Sequence, residues 1–209
     1  DYSLYQNGLF RTYAYLPQFN SANLSIRSFV NRGPEKVIGS RDGLFYINEA
    51  TGIVKSFVKP VLTSDLILTI CFYEGEYYIG TYGGGMMVLN PQTLSLKYFT
   101  QGDTELFQKG HIFCVKPDNR GNLWIGTSQG LFCYNGQTKQ IKNFTSTNSQ
   151  LPEGNVYEVS FDSTGKGWIA TETGMCIYDP ASQSLRSNVF PEGFVHKDKV
   201  RTIYEDAEH

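Results

Sequence analysis

Apolar residues come in short runs along this chain, each closed by glycine, asparagine, aspartate or proline. No stretch repeats them at the i, i+3, i+4, i+7 spacing of an amphipathic helix, so the runs predict strands joined by tight turns. Their order repeats. Trp124-Ile125-Gly126-Thr127 returns as Tyr78-Ile79-Gly80-Thr81 and as Trp168-Ile169-Ala170-Thr171, with a weaker copy at Val37-Ile38-Gly39-Ser40. The third positions, 39, 80, 126 and 170, are 41, 46 and 44 residues apart, a spacing that suits one four-stranded propeller blade.

Each copy carries the same flanks. Downstream come a turn glycine and an apolar strand: Gly43-Leu44-Phe45, Gly85-Met86-Met87, Gly130-Leu131-Phe132 and Gly174-Met175-Cys176. Asn48, Asn90, Asn135 and Asp179 then mark a turn, and a last strand closes the unit at Ile53–Phe57, Leu94–Phe99, Gln140–Phe144 and Leu185–Val189. Upstream, Asp118 with Gly121 and Asp162 with Gly165 form Asp-x-x-Gly, and Asp206 continues the 44-residue step. Aspartate accepts backbone N–H bonds and glycine supplies a positive φ, so Asp-x-x-Gly between apolar runs is a hairpin turn.

The unit is therefore strand a, turn, strand b with the tetrad, loop, strand c, turn, strand d. Strand b is apolar at both parities, which requires cover on both faces; blades packed side by side provide it. The small third residue of the tetrad would let adjacent backbones approach. A Greek-key sandwich gives no reason for the repeat. The expected fold is all-β, a β-propeller of four-stranded blades, with residues 1–209 forming one partial domain. Full blades are expected at about 24–58, 65–100, 111–145 and 155–189, and partial strands at 1–20 and 200–209. Gly8-Leu9-Phe10 reads as the start of strand c, and the next tryptophan of the series would fall beyond His209. Strands c and d at one end and strand a at the other leave no strand b between them, so an open arc of a larger propeller is expected. Unpaired blade edges and the propeller faces would then favour self-association.

Asp118-Asn119-Arg120-Gly121-Asn122-Leu123-Trp124-Ile125-Gly126-Thr127 with Gly130-Leu131 resembles the two-component regulator propeller repeat. The resemblance is sharp at 111–145, good at 155–189, and weaker at 24–58 and 65–100, where Val37 and Tyr78 stand in for tryptophan. It implies a seven-bladed propeller, within the usual range for the architecture. It also implies the periplasmic sensor region of a hybrid two-component system of Bacteroidetes, whose membrane helix and histidine kinase lie outside this chain. Such a module would be non-catalytic and respond to an oligosaccharide.

Composition and charge narrow the alternatives. The chain holds 18 basic and 20 acidic residues, net −2, with no block of five like charges. Nucleic acid is therefore not an expected partner, since binding it needs a basic stripe. The longest apolar run, around Leu66–Phe72, is far below the ~20 residues of a membrane span. The chain opens on Asp1 and shows no signal peptide, so its address is implied only by the resemblance. Aromatic residues make up 14% of the chain and there are 21 glycines, in keeping with strands and turns.

Candidate chemistry is sparse. His111, His196 and His209 lack zinc-ligand spacing, and no metal or cofactor is expected. Gly83-Gly84-Gly85 is followed by no Lys-Ser/Thr, so a hairpin loop explains it better than a phosphate cradle. Cys71, Cys114, Cys133 and Cys176 lie within apolar strands and are expected as free, core-filling thiols. Propeller ligands commonly meet the face built by the b–c and d–a loops. Arg41, Asp42, Tyr82, Gln129 and Glu172 fall on the first set and Phe107, His111, Asn155 and His196 on the second. Sugar recognition wants an aromatic platform beside polar groups, which favours Tyr82 with Arg41 and Glu172. The expected ligand-binding residues are Arg41, Tyr82, Gln129, Glu172, His111 and His196, with no catalytic residue. A glycan-cleaving enzyme or lyase on the same fold remains open, as does a structural spacer. Against the first stands the lack of a clustered carboxylate pair, since Asp42 and Glu172 lie on blades that are not neighbours.

Overall fold

The computed structural model describes residues 25–102, 105–187 and 198–204 in full, and Thr104 and the strands 2–6 and 9–13 by their backbone. At the start, β1 (Tyr2–Gln6) and β2 (Leu9–Tyr13) form an antiparallel hairpin. Four antiparallel four-stranded sheets follow, each in sequence order. The first holds β3 (Ile26–Arg32), β4 (Glu35–Ser40), β5 (Leu44–Asn48) and β6 (Ile53–Phe57). The second holds β7 (Ile67–Tyr73), β8 (Glu76–Thr81), β9 (Met86–Leu89) and β10 (Leu96–Tyr98). A short helix, α1 (Thr104–Lys109), leads to β11 (Ile112–Pro117), β12 (Asn122–Thr127), β13 (Gly130–Asn135) and β14 (Ile141–Phe144). The fourth sheet is β15 (Val156–Phe161), β16 (Gly167–Thr171), β17 (Gly174–Asp179) and β18 (Ser184–Arg186). The fold is an all-β open set of propeller blades, packed through successive inner strands β3, β7, β11 and β15.

The tetrad now has a physical account. Strand b is buried along nearly its whole length in blades one to three, and in blades two and three a neighbouring sheet covers each face. A Cβ on Gly39 would stand 2.5 Å from Ile67, one on Gly80 2.7 Å from Ile112, and one on Gly126 2.7 Å from the Val156 carbonyl. In each case the first residue of the next blade's inner strand stands in the way, joined at Gly80 by Thr69 and at Gly126 by Cys114 of the same blade, so the third position must be small. The fourth position is always a hydroxyl. Ser40, Thr81, Thr127 and Thr171 each donate from the side chain to the carbonyl of the turn glycine, at 2.8–3.0 Å. The first position carries its own bond: Trp124 Nε1–H donates to Asp118 Oδ2 at 2.9 Å, and Trp168 Nε1–H to Asp162 Oδ2 at 2.8 Å.

Three hydrophobic clusters fill the gaps between sheets. Tyr77, Ile79 and Leu89 pack with Leu44 and Ile67 between blades one and two, and Phe99, Phe107 and Ile125 between two and three. Trp124, Val156 and Ile169 lie between three and four. Cys71, Cys114 and Cys176 are buried, Cys133 is half-buried, and all four are free thiols pushed up to about 12 by burial.

Some sequence expectations differ from the structure. Strand c at Leu9 has a partner ahead of it, β1, in the position of a strand b that was not expected; Tyr2–Gln6 matches the tetrad too poorly to be seen. Residues 200–204 carry no strand ladder, and 205–209 fall outside the described residues. Phe107 is fully buried in α1 rather than displayed on a loop. That helix, too short for periodicity to reveal, accounts for Gly85, where a Cβ would stand 1.9 Å from the Phe107 carbonyl, while a Cβ on Gly84 would meet Thr63 and Ser64.

Candidate functional site

Every inner strand contains a β-bulge at the same repeat position. The register shifts between Ile26 and Ser28, Ile67 and Thr69, Ile112 and Cys114, and Val156 and Glu158. The extra residues are Arg27, Leu68, Phe113 and Tyr157. A bulge re-aims a side chain out of the alternation of its strand. Here it sends Phe113 and Tyr157 together, edge to face, with ring centroids 5.2 Å apart.

Around that pair the loop residues assemble. Tyr82, half exposed at 51%, stacks on His111 at 4.0 Å, and His111 lies 6.1 Å from Phe113. His111 Nδ1 is buried without a hydrogen-bond partner and faces the glycine loop, where a Cβ on Gly83 would lie 3.9 Å away. Beyond Tyr157, the Arg201 guanidinium stands 4.5 Å and the Lys199 ammonium 5.2 Å from its ring centroid. Glu172 accepts from the Asn155 amide at 3.4 Å and the Tyr157 hydroxyl at 3.4 Å, and pairs with Lys199 at 3.3 Å. The Asn155 amide first, then Lys199, hold its carboxyl below the usual range.

Of the expected site residues, the structure joins Tyr82 to His111 and places Glu172 at the far end of the same row. Arg41 and Gln129 are exposed on their own loops. Asp42 sits on the first sheet's b–c loop and Glu172 on the fourth's. His196 lies outside the described residues. Sequence reading missed Phe113, Tyr157, Lys199 and Arg201. The available signal was positional: each of Phe113, Tyr157 and Arg201 follows the first apolar residue of a repeat's inner strand. Among the described residues no three His, Cys, Asp or Glu side chains converge as a metal site would need. No helix among them is long and apolar enough to cross a membrane.

Blades of this kind, with a row of loop and bulge side chains along the inner strands, define a β-propeller. Residues 107–129 match the model of the two-component regulator propeller family. The chain is similar in structure to the extracellular domain of the hybrid two-component system BT3049 of B. thetaiotaomicron, with a TM-score of 0.76 and 23% identity over 99% of this chain. The corresponding domain of BT4673 from the same organism gives 0.73 and 20% identity over 93%. PorZ, a surface component of the type-IX secretion system of Porphyromonas gingivalis, gives 0.61 and 15% over 80%. The chain spans only 28%, 26% and 27% of those three proteins. No curated protein matches it.

Proposed function

We propose that this chain is part of the extracytoplasmic, periplasmic sensor region of a hybrid two-component signalling protein, and that it binds an oligosaccharide without turning it over. The observation that carries the reading is the continuous row from Tyr82 through His111, Phe113 and Tyr157 to Glu172 and Lys199. It offers apolar ring faces beside hydrogen-bonding groups, the combination a sugar needs. The matched repeat and the two similar extracellular domains support the sensor assignment. A histidine kinase in the remainder of the parent protein belongs to the same proposal.

Thermal unfolding against a panel of oligosaccharides tests it. A ligand at a hundred times its Kd stabilises by about 2.7 kcal/mol, or roughly 5–10 °C for a chain of this size. A panel without any shift would leave the blades as a structural spacer. The enzymatic alternative needs two carboxylates ~5–9 Å apart. Asp42 and Glu172, separated by two intervening sheets, do not supply them, and product formation from any glycan would overturn the non-catalytic reading.

A further inference from the structure

The bulge position behaves as a variable reader on a constant backbone. In the first three blades the residue just past the bulge accepts a backbone N–H from the next blade's inner strand, and in the fourth it accepts one from Ile203. Ile70 N–H donates to Ser28 Oγ at 2.9 Å and Val115 N–H to Thr69 Oγ1 at 3.3 Å. Val159 N–H donates to the Cys114 sulfur, and Ile203 N–H to Glu158 Oε2 at 3.2 Å. The last bond seats residues 200–203 against the fourth blade as a further inner strand would sit. Arg201 thereby occupies the position held by Arg27, Leu68, Phe113 and Tyr157.

That series reads cation, apolar, aromatic, aromatic, cation. The charges around it do not cancel. Glu172 is matched by Lys199, whereas Arg201 is exposed and makes no ion pair among the described residues. Tyr82 extends the aromatic part with a half-exposed ring, and the buried, unpartnered Nδ1 of His111 lies beneath it. The row therefore offers ring faces at one end and, among the described residues, a guanidinium without an ion pair at the other. Neutral sugars use only the first; a guanidinium is suited to bidentate hydrogen bonding with a carboxylate.

We propose that the row is a binding strip for an acidic saccharide, a uronate-containing oligomer whose carboxylate is held by Arg201 while its ring faces lie along Tyr82 and the Phe113–Tyr157 pair. This rests on the sugar-binding reading above and adds the charge of the ligand.

The test is calorimetric titration of the full 209-residue chain with oligogalacturonate and with the same oligomer fully methyl-esterified, which keeps the rings and removes the charge. Binding of the acid form at least about tenfold tighter than the ester, weakening with added salt, is expected. Arg201→Ala should erase that difference, and Tyr157→Phe should keep it. Equal binding of acid and ester, or an Arg201→Ala variant that still prefers the acid, overturns the proposal. So does failure of the acid form to bind. Neutral oligosaccharides separate the two readings: if they bind and oligogalacturonate does not, the charge assignment fails and the sugar reading stands. If neither class binds, both fail.

Discussion

At the scale of single residues, the hairpin aspartates do two jobs. Asp118 accepts at Oδ1 from the Arg120 and Asn122 amides and at Oδ2 from Asn122 Nδ2 and Trp124 Nε1. Asp162 accepts from the Thr164 and Lys166 amides, the Thr164 hydroxyl and Trp168 Nε1. Partial burial pushes both carboxyls up, but these donors outweigh it and hold them below the usual range. A carboxyl depressed in the folded state stabilises fully above its unfolded pKa of ~3.9, and that contribution disappears as pH falls through the folded value. Melting temperature should therefore drop as pH is lowered from about 4 toward 2, and Asp118→Asn should both lower it at pH 7 and flatten the acid limb. Trp124→Phe keeps most of the ring and deletes one charge-assisted bond, so chemical denaturation should show a loss of about 1–3 kcal/mol. The turn role of these aspartates was legible because Asp-x-x-Gly recurs at 44 residues. The indole bond was latent in the equal Asp-to-Trp spacing, which marks a partner only once both side chains are known to turn to one side of the hairpin.

At the scale of elements, the repeat disclosed the strands but not the places where backbone departs from alternation. Strands b and c were readable since their apolar residues occupy both parities. The bulges were not, because an inserted residue leaves composition unchanged and shifts only the register between Ile112 and Cys114 or Val156 and Glu158. That is why His111, Tyr82 and Glu172 could be named from their loops while Phe113 and Tyr157, which connect them, could not. Helix α1 was hidden for a related reason: six residues hold less than two turns. Close approach makes these elements intolerant. Gly126→Ala would put a Cβ 2.5 Å from Cys114 Sγ and 2.7 Å from the Val156 carbonyl. Backbone cannot yield as a flexible side chain can, so the loss should be about 1–3 kcal/mol. The check is a lower denaturant midpoint at an unchanged m-value, as expected for lost stability rather than a changed denatured state.

At the scale of the whole molecule, the sheets contact one another in series, so stability should follow nearest-neighbour terms as in other repeat proteins. The coupling at each junction includes a hydrophobic cluster, the N–H bond from one inner strand to the residue past its neighbour's bulge, and side-chain bonds such as Tyr77 to Glu35, Tyr73 to the Gly121 carbonyl and Arg120 to the Gly165 carbonyl. Ser28→Ala removes the acceptor for Ile70 N–H and leaves that partly buried donor without its partner, a cost of about 1–3 kcal/mol. The cluster between blades one and two is untouched by the change, so the sheets should stay folded and become less firmly joined. Hydrogen exchange can resolve this by region. Amides of 26–57 and of the inner strand 67–73 should exchange faster in Ser28→Ala, while those of 156–186, two junctions away, keep their wild-type protection. Uniform acceleration across all four sheets would mean that the arc unfolds as one unit and that the bulge-linked bonds are not separate joints. A response confined to the first junction would show the row of bulge residues resting on a backbone coupled locally from blade to blade, free to vary its side chains without disturbing the distant sheets.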